Sequence, residues 1–208
     1  MKLNQLIKVT EEFFIENHQQ LRIDPVKILQ IVYCHQVFNN IHKSCLETIC
    51  FEPEILFNSV KFIDLPAPLL EIILKRDYLN FDEIEVWENL IKWGLAQEKT
   101  LNEDVSKWRQ EEFNVFKRIL YKFIPLIRLF YISSEDYFNK VRPYEDILSK
   151  ELREEILKFH MVPGYKSTLN HLLPKRPKYY DDSVLINRNH IKIFTNWIKR
   201  NEKISIDR

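Results

Sequence analysis

Between Phe62 and Gly94 the chain writes two amphipathic helices and the turn that joins them, and this stretch leaves little choice of fold. Pro66 and Pro68 fall in a first helical turn, where a backbone N–H has no intrahelical acceptor, so a missing donor costs little. Leu69, Leu70, Ile72, Ile73 and Leu74 make the first helix apolar over most of its circumference. Lys75 and Arg76 follow at the negative pole of its dipole. Burial on more than one side is expected. Asp82 then stands as an N-cap, with Glu85 three residues on as the acidic partner of a capping box. Ile84, Trp87, Leu90, Ile91, Gly94 and Leu95 recur at three- and four-residue steps along the second helix. Glu83, Glu85, Glu88, Asn89 and Lys92 fill its wet side, with Glu88 and Lys92 in i,i+4 register. Pro66, Leu70, Ile73, Trp87, Leu90, Ile91, Trp93 and Gly94 are therefore expected to anchor a core.

The rest of the chain repeats the helical pattern. Leu3, Leu6, Ile7, Thr10, Phe13 and Phe14 form one stripe of a helix over Leu3 to Asn17. Asp24-Pro25 is an N-cap followed by an N1 proline, opening a helix with Ile28, Leu29, Val32 and Val37 that runs towards Phe38. These two are expected to pair antiparallel. Ser44 to Phe51 and Pro53 to Phe57 read as two shorter segments, parted where Pro53 removes a donor. Glu98 to Trp108 is polar and reads as a surface insertion holding a short turn of helix. Phe113, Phe116, Leu120, Phe123 and Ile127 restore the period, with Pro125 restarting the helix after Ile124. Ser133 and Ser149 each cap a further helix, the second ending near Met161.

Composition agrees. Hydrophobic residues make up 45% of the 208, enough to fill one sizeable core. Only two glycines occur, Gly94 and Gly164, which argues against phosphate-cradling loops and glycine hairpins and for helices. A net charge of +1 gives no electrostatic reason to expect nucleic acid or an anionic membrane as partner. No window approaches the roughly 18 apolar residues of a membrane span, and Met1 to Lys8 has no secretory core, so a soluble cytoplasmic or nuclear protein is expected. Three cysteines, Cys34, Cys45 and Cys50, form an odd count in such a setting, and no disulfide is expected.

From Val162 to Asp182 the chain holds three prolines and one glycine without sustained period, as a semi-extended linker would. Its basic run Lys175-Arg176-Pro177-Lys178 reads as solubilising. Beyond it, Ser183 to Ile186 reads as a short strand, and Ile191, Phe194, Trp197 and Ile198 as one helix face. Twenty-six residues are too few for a core, because domains below about 40 residues usually need an external staple. The chain is expected to stop inside a second domain.

The stretch Phe62 to Gly94, the pair Leu6-Ile7 and Phe13-Phe14 with Asp24-Pro25, and the run Leu126 to Glu135 together resemble a BACK domain, the helical module that follows a BTB domain. Lys75-Arg-Asp-Tyr-Leu, Trp87-Glu-Asn-Leu-Ile-Lys-Trp-Gly and Val141-Arg-Pro-Tyr are similar to the variant in which BTB and BACK precede a TLDc domain. The resemblance implies an all-α, solenoid-like stack of antiparallel helical hairpins with a C-terminal linker and a short α/β stub. In residue terms, 1–125 would be the BACK domain, 126–161 a helical extension closing it, 162–182 the linker and 183–208 the start of a TLDc domain. The resemblance starts after the BTB fold, which in that family supplies dimerisation and most of the cullin-binding surface, and these 208 residues are expected to lack it. The first helix pair, with Leu6, Ile7, Phe13 and Phe14, would border the groove for a cullin-type scaffold.

Chemistry-bearing residues do not assemble in the sequence. Cys34-His35, His42, Cys45 and Cys50 lie close together, but without a C-x2-C pair they read as core cysteines and surface histidines before they read as a metal site. His18, His160, His171 and His190 are scattered, with no serine or cysteine partner at a telling distance. The carboxylates read as solvated helix faces, and Trp87 and Trp93 as core anchors before partner-binding hot spots. No catalytic residue, cofactor or metal is expected. The leading expectation is a non-catalytic scaffold for protein partners, of the kind found in BTB-type adaptors of cullin-RING ubiquitin ligases. The alternative is a truncated or BTB-less scaffold that holds a TLDc domain, without ubiquitin-ligase function.

Overall fold

The computed structural model describes residues 19–35, 39–167 and 173–177. Among these every regular element is helical. The chain divides after Pro177 into two units, Met1–Pro177 and Lys178–Arg208, and all the described residues belong to the first. The helix expected over Leu3 to Asn17, and the strand and helix expected after Ser183, lie outside the described residues.

Helix α1 (Gln19–Ile23) turns at Asp24 into α2 (Pro25–Cys34). The Asp24 carboxylate accepts the Lys27 N–H at 3.2 Å, and Pro25 occupies the first helical position, where its missing donor is not needed. The helix stops at Cys34, short of Phe38. Helix α3 (Asn39–Phe51) starts earlier than Ser44 and ends before Pro53, which opens α4 (Glu54–Phe57). A 3-10 turn over Val60–Asp64 leads to α5 (Ala67–Leu74) and α6 (Glu83–Gln97). Pro66 caps α5 and Pro68 lies in its first turn. Asp82 and Glu85 form the capping box of α6, the Glu85 carboxylate accepting the Asp82 N–H at 3.4 Å.

Helix α6 packs on more than one side. Trp87, Leu90, Ile91 and Gly94 are buried along the expected stripe, and Val86 and Trp93 are buried as well. The indole N–H of Trp93 donates to the Leu65 carbonyl at 2.8 Å, and that of Trp87 to the Lys140 carbonyl at 3.2 Å. Each ring thus adds a fixed hydrogen bond to its apolar burial. The turn between α5 and α6 is tied to α3 as well, because the Asn80 N–H donates to the Cys50 carbonyl at 2.8 Å. Glu88 is turned away from Lys92 towards Lys140, at 3.3 Å.

The second half departs from long paired helices. Helix α7 (Gln110–Leu120) is followed by 3-10 turns at Ile124–Leu126 and Leu129–Tyr131, the short α8 (Ser134–Asp136), a π turn over Tyr137–Val141 and a 3-10 stretch over Arg142–Ile147. Pro125 and Pro143 each lie in the first turn of a short element, where a residue without an N–H is tolerated. Ser149 caps α9 (Lys150–Met161), its hydroxyl accepting the Leu152 N–H at 3.2 Å.

The polar segment before α7 is more than the expected surface insertion. A short 3-10 turn does form over Val105–Lys107, but Trp108 at its end is buried. Its ring meets Phe113, Phe116 and Tyr144 edge-on at 5.2, 5.0 and 5.9 Å, and its N–H donates to the Asn102 carbonyl at 2.7 Å. One large aromatic among polar neighbours carries no period, so its burial is decided by the cluster it reaches.

Gly94 lies where α6 meets α7, and a Cβ there would come within 2.8 Å of the Phe116 ring and 2.9 Å of Leu120. Gly94→Ala is expected to lower stability by about 1–3 kcal/mol, the overpacking cost exceeding alanine's helix preference. Trp93→Phe, which leaves the Leu65 carbonyl without its donor, is expected to cost about 1–3 kcal/mol. Chemical denaturation of the two variants checks both.

Candidate functional site

The residues expected to anchor the core are placed plainly. Leu70, Ile73, Trp87, Leu90, Ile91, Trp93 and Gly94 are buried, and Pro66 is half-buried at the start of α5. They line the contact of α5 and α6 with the rest of the body. Leu6, Ile7, Phe13 and Phe14 lie outside the described residues.

Three charged side chains form a second constellation, inside the body. Glu83, Arg128 and Arg176 are buried together, with 7%, 3% and 4% of their surface exposed. Glu83 is the first residue of α6, where the positive end of the helix dipole favours a carboxylate. Its carboxylate pairs with the Arg176 guanidinium through Oε1 and accepts the Arg128 backbone N–H through Oε2 at 3.1 Å. Arg128 Nη1 stands 3.8 Å from Oε1, an ion-pair distance too long for a hydrogen bond. The same arginine donates to the Pro174 carbonyl at 2.6 Å and to the largely exposed Asp77 carboxylate at 2.5 Å.

Arg176 does more than neutralise Glu83. Its Nη2 donates to the Leu74 carbonyl at 2.7 Å and its Nε to the Arg76 carbonyl at 3.3 Å. These are carbonyls at the C-terminal end of α5, which lack intrahelical donors and gather negative partial charge. Burial holds the Arg176 guanidinium below its ordinary pKa, a shift that the Glu83 carboxylate opposes. The planar fork suits this role, since one side chain satisfies a carboxylate and two carbonyls at once.

Two expectations are corrected by this cluster. Glu83 belongs to the buried side of α6 and not to its wet side. The signal was present, because Glu83 precedes Trp87 by four residues and so shares the stripe of Leu90, Ile91 and Gly94. Arg176 does not solubilise a linker; it is inside. No periodicity could have found it, because its partners lie 50 to 102 residues away.

A smaller arrangement of the same kind follows α9. Glu155, 7% exposed, accepts the Tyr165 hydroxyl and the Ser167 hydroxyl, each at 2.8 Å. Glu155 also lies on an apolar stripe, three residues after Leu152 and four before Phe159.

The cysteine and histidine group is dispersed. Cys45 and Cys50 are buried in the core while Cys34 is exposed. Burial pushes both core thiols up to about 11, so near neutral pH they are protonated and unreactive. Burial likewise lowers the pKa of His42 and His160. Among the described residues no group of three or more His, Cys, Asp or Glu side chains is arranged to hold a metal ion. No helix of the described residues is long and apolar enough to cross a membrane.

An open concavity of about 620 Å³ lies between α1, α4 and the 3-10 turn that follows α4. Ile23 and Val60, 74% and 90% exposed, stand on it among the ion pairs Arg22–Glu52 and Lys61–Asp24.

Comparison with known proteins returned no match: no family model, no curated protein and no solved structure corresponds to this chain.

The thiols supply a prediction. A thiol reagent is expected to titrate Cys34 alone in the folded protein and all three cysteines in denaturant. The raised thiol pKa values of the folded state make protonation more favourable there than in the unfolded chain. Their contribution to stability is whole below the ordinary value of 9.0 and is lost as pH rises towards about 11. Thermal melts across that window are expected to fall less steeply for Cys50→Ala than for the parent, each referred to its own value at pH 8.

Proposed function

We propose that this chain is a non-catalytic protein-interaction scaffold, a BACK-like spacer of the kind that BTB-type adaptors use in cullin-RING ubiquitin ligases. The observation that carries the reading is the core that runs without a break from Leu21 in α1 to Ile156 in α9, braced through α5 and α6. Such a core suits a strut. It holds its two ends at a set separation, which is what a module between a recruiting domain and a carried domain must do. The large polar side chains inside it serve the same end: Glu83, Arg128 and Arg176 are engaged with backbone and with one another, and Glu155 with the hydroxyls of Tyr165 and Ser167. In this reading the packed pairs α2 with α3 and α6 with α7 are the repeating units of a solenoid-like stack. The segments further along are its closing extension.

A second reading keeps the strut and drops ubiquitin, making the chain a holder for a TLDc domain. The division of the chain after Pro177 is common ground for both readings, since each ends the strut before a carried domain.

The two readings differ in what they capture. Joined behind a BTB fold, the chain is expected to recover a cullin-type scaffold on affinity capture from its native cells. Recovery of none by a folded fusion removes the ligase reading and leaves the carrier reading standing. A saturable, reproducible turnover in a broad activity screen would overturn both.

A further inference from the structure

The five residues Leu173-Pro-Lys-Arg-Pro touch the body in an unusual way: of their side chains only that of Arg176 is buried. Pro174, Lys175 and Pro177 are exposed and Leu173 is half-buried. Apolar burial therefore contributes little to their docking. What remains is polar: the Pro174 carbonyl on Arg128, and the Arg176 guanidinium on Glu83 and on the carbonyls of Leu74, Arg76 and Leu126.

We propose that residues 173–177 are an ionic strap, and that Glu83 is the clasp which decides whether the strap is fastened. With the strap docked, Arg176 closes the end of α5, and the turn that leads to α6 lies beneath a buried ion pair. With the strap released, the α5 carbonyls return to water and Glu83 keeps only Arg128. The two states differ by a few strong, directional, charge-assisted bonds and by little apolar area. Such an element has two discrete positions, because a partly withdrawn guanidinium would be desolvated without its partners. Docking of the strap thus adds to the order of the α5–α6 turn, which the Asn80–Cys50 bond also holds. The inference rests on the geometry of this cluster and is independent of the scaffold reading.

The two proline residues support the device. Their fixed φ angles limit the conformations open to the released strap, which lowers the entropy lost on docking. Leu173 adds a small apolar contact beside them.

The test uses the full chain and a lysine-specific protease, with hydrogen exchange of residues 75–82 measured in parallel. Lys175 has an exposed side chain, but its bond to buried Arg176 should be cut only from the released state. In the parent, cleavage after Lys175 is expected at least about tenfold more slowly than after Lys99 in its exposed loop. Glu83→Gln is expected to raise the Lys175 rate about tenfold and to speed exchange across 75–82, with helical content unchanged. Arg176→Lys, which keeps the charge and loses the fork, should fall between the two. Equal cleavage at Lys175 and Lys99 in the parent overturns the proposal. So does a Glu83→Gln protein in which both readouts stay at parent values. Should Glu83→Gln lose its helical content, Arg176→Gln takes its place with the same expected rise, and the same null result overturns the proposal.

Discussion

Helix α6 is the member on which the other elements depend, and its two tryptophans are the reason. Trp93 reaches back to the Leu65 carbonyl before α5, while Trp87 reaches forward to the Lys140 carbonyl in the π turn. One helix is thereby bonded to segments on both sides of it in the chain, through rings that each bury a large apolar area. Around them stand Phe123 against Trp93, and Tyr144 against both Trp87 and Trp108. These braces add to the burial of Leu129, Phe130, Val141 and Ile147 in ordering the short 3-10 and π turns between α7 and α9. Such turns hold few internal hydrogen bonds and depend on packing.

Two of the charges inside the body follow one rule. Glu83 sits at the start of a helix, and Arg176 sits on carbonyls at the end of another, so each charge meets the dipole end that favours it. A buried ion pair is weak grounds for stability, because desolvation opposes the attraction. Its consequence here is placement. Five residues remote in sequence are held against one turn by bonds that only one geometry satisfies. Glu155 with Tyr165 and Ser167 does the same for the chain leaving α9. Part of the segment that composition marks as a linker is therefore attached to the body, and the first unit extends to Pro177.

The parts that were legible in the sequence are those written by local rules. Asp24-Pro25, Pro66 to Pro68, the Asp82 and Glu85 box, Ser133 and Ser149 all begin helices where their side chains and missing donors require it. Glu83 was half legible: its register with Trp87 marked it as facing inward, while its charge argued for solvent. Trp108 and Arg176 were not legible at all. Both stand in polar, aperiodic segments, and their burial depends on partners that the chain brings close only when folded.

By itself, then, the order of residues determined that the described chain is helical and which faces of α2, α5, α6 and α7 turn inward, because hydrophobic period and capping act within one or two turns. Tertiary structure alone decided which remote groups meet: Trp87 with Lys140, Trp108 with Tyr144, and Arg176 with Glu83 and the end of α5. The physical reason is range. A cap is chosen by its neighbours, whereas a buried ion pair is chosen by the whole fold that excludes water around it.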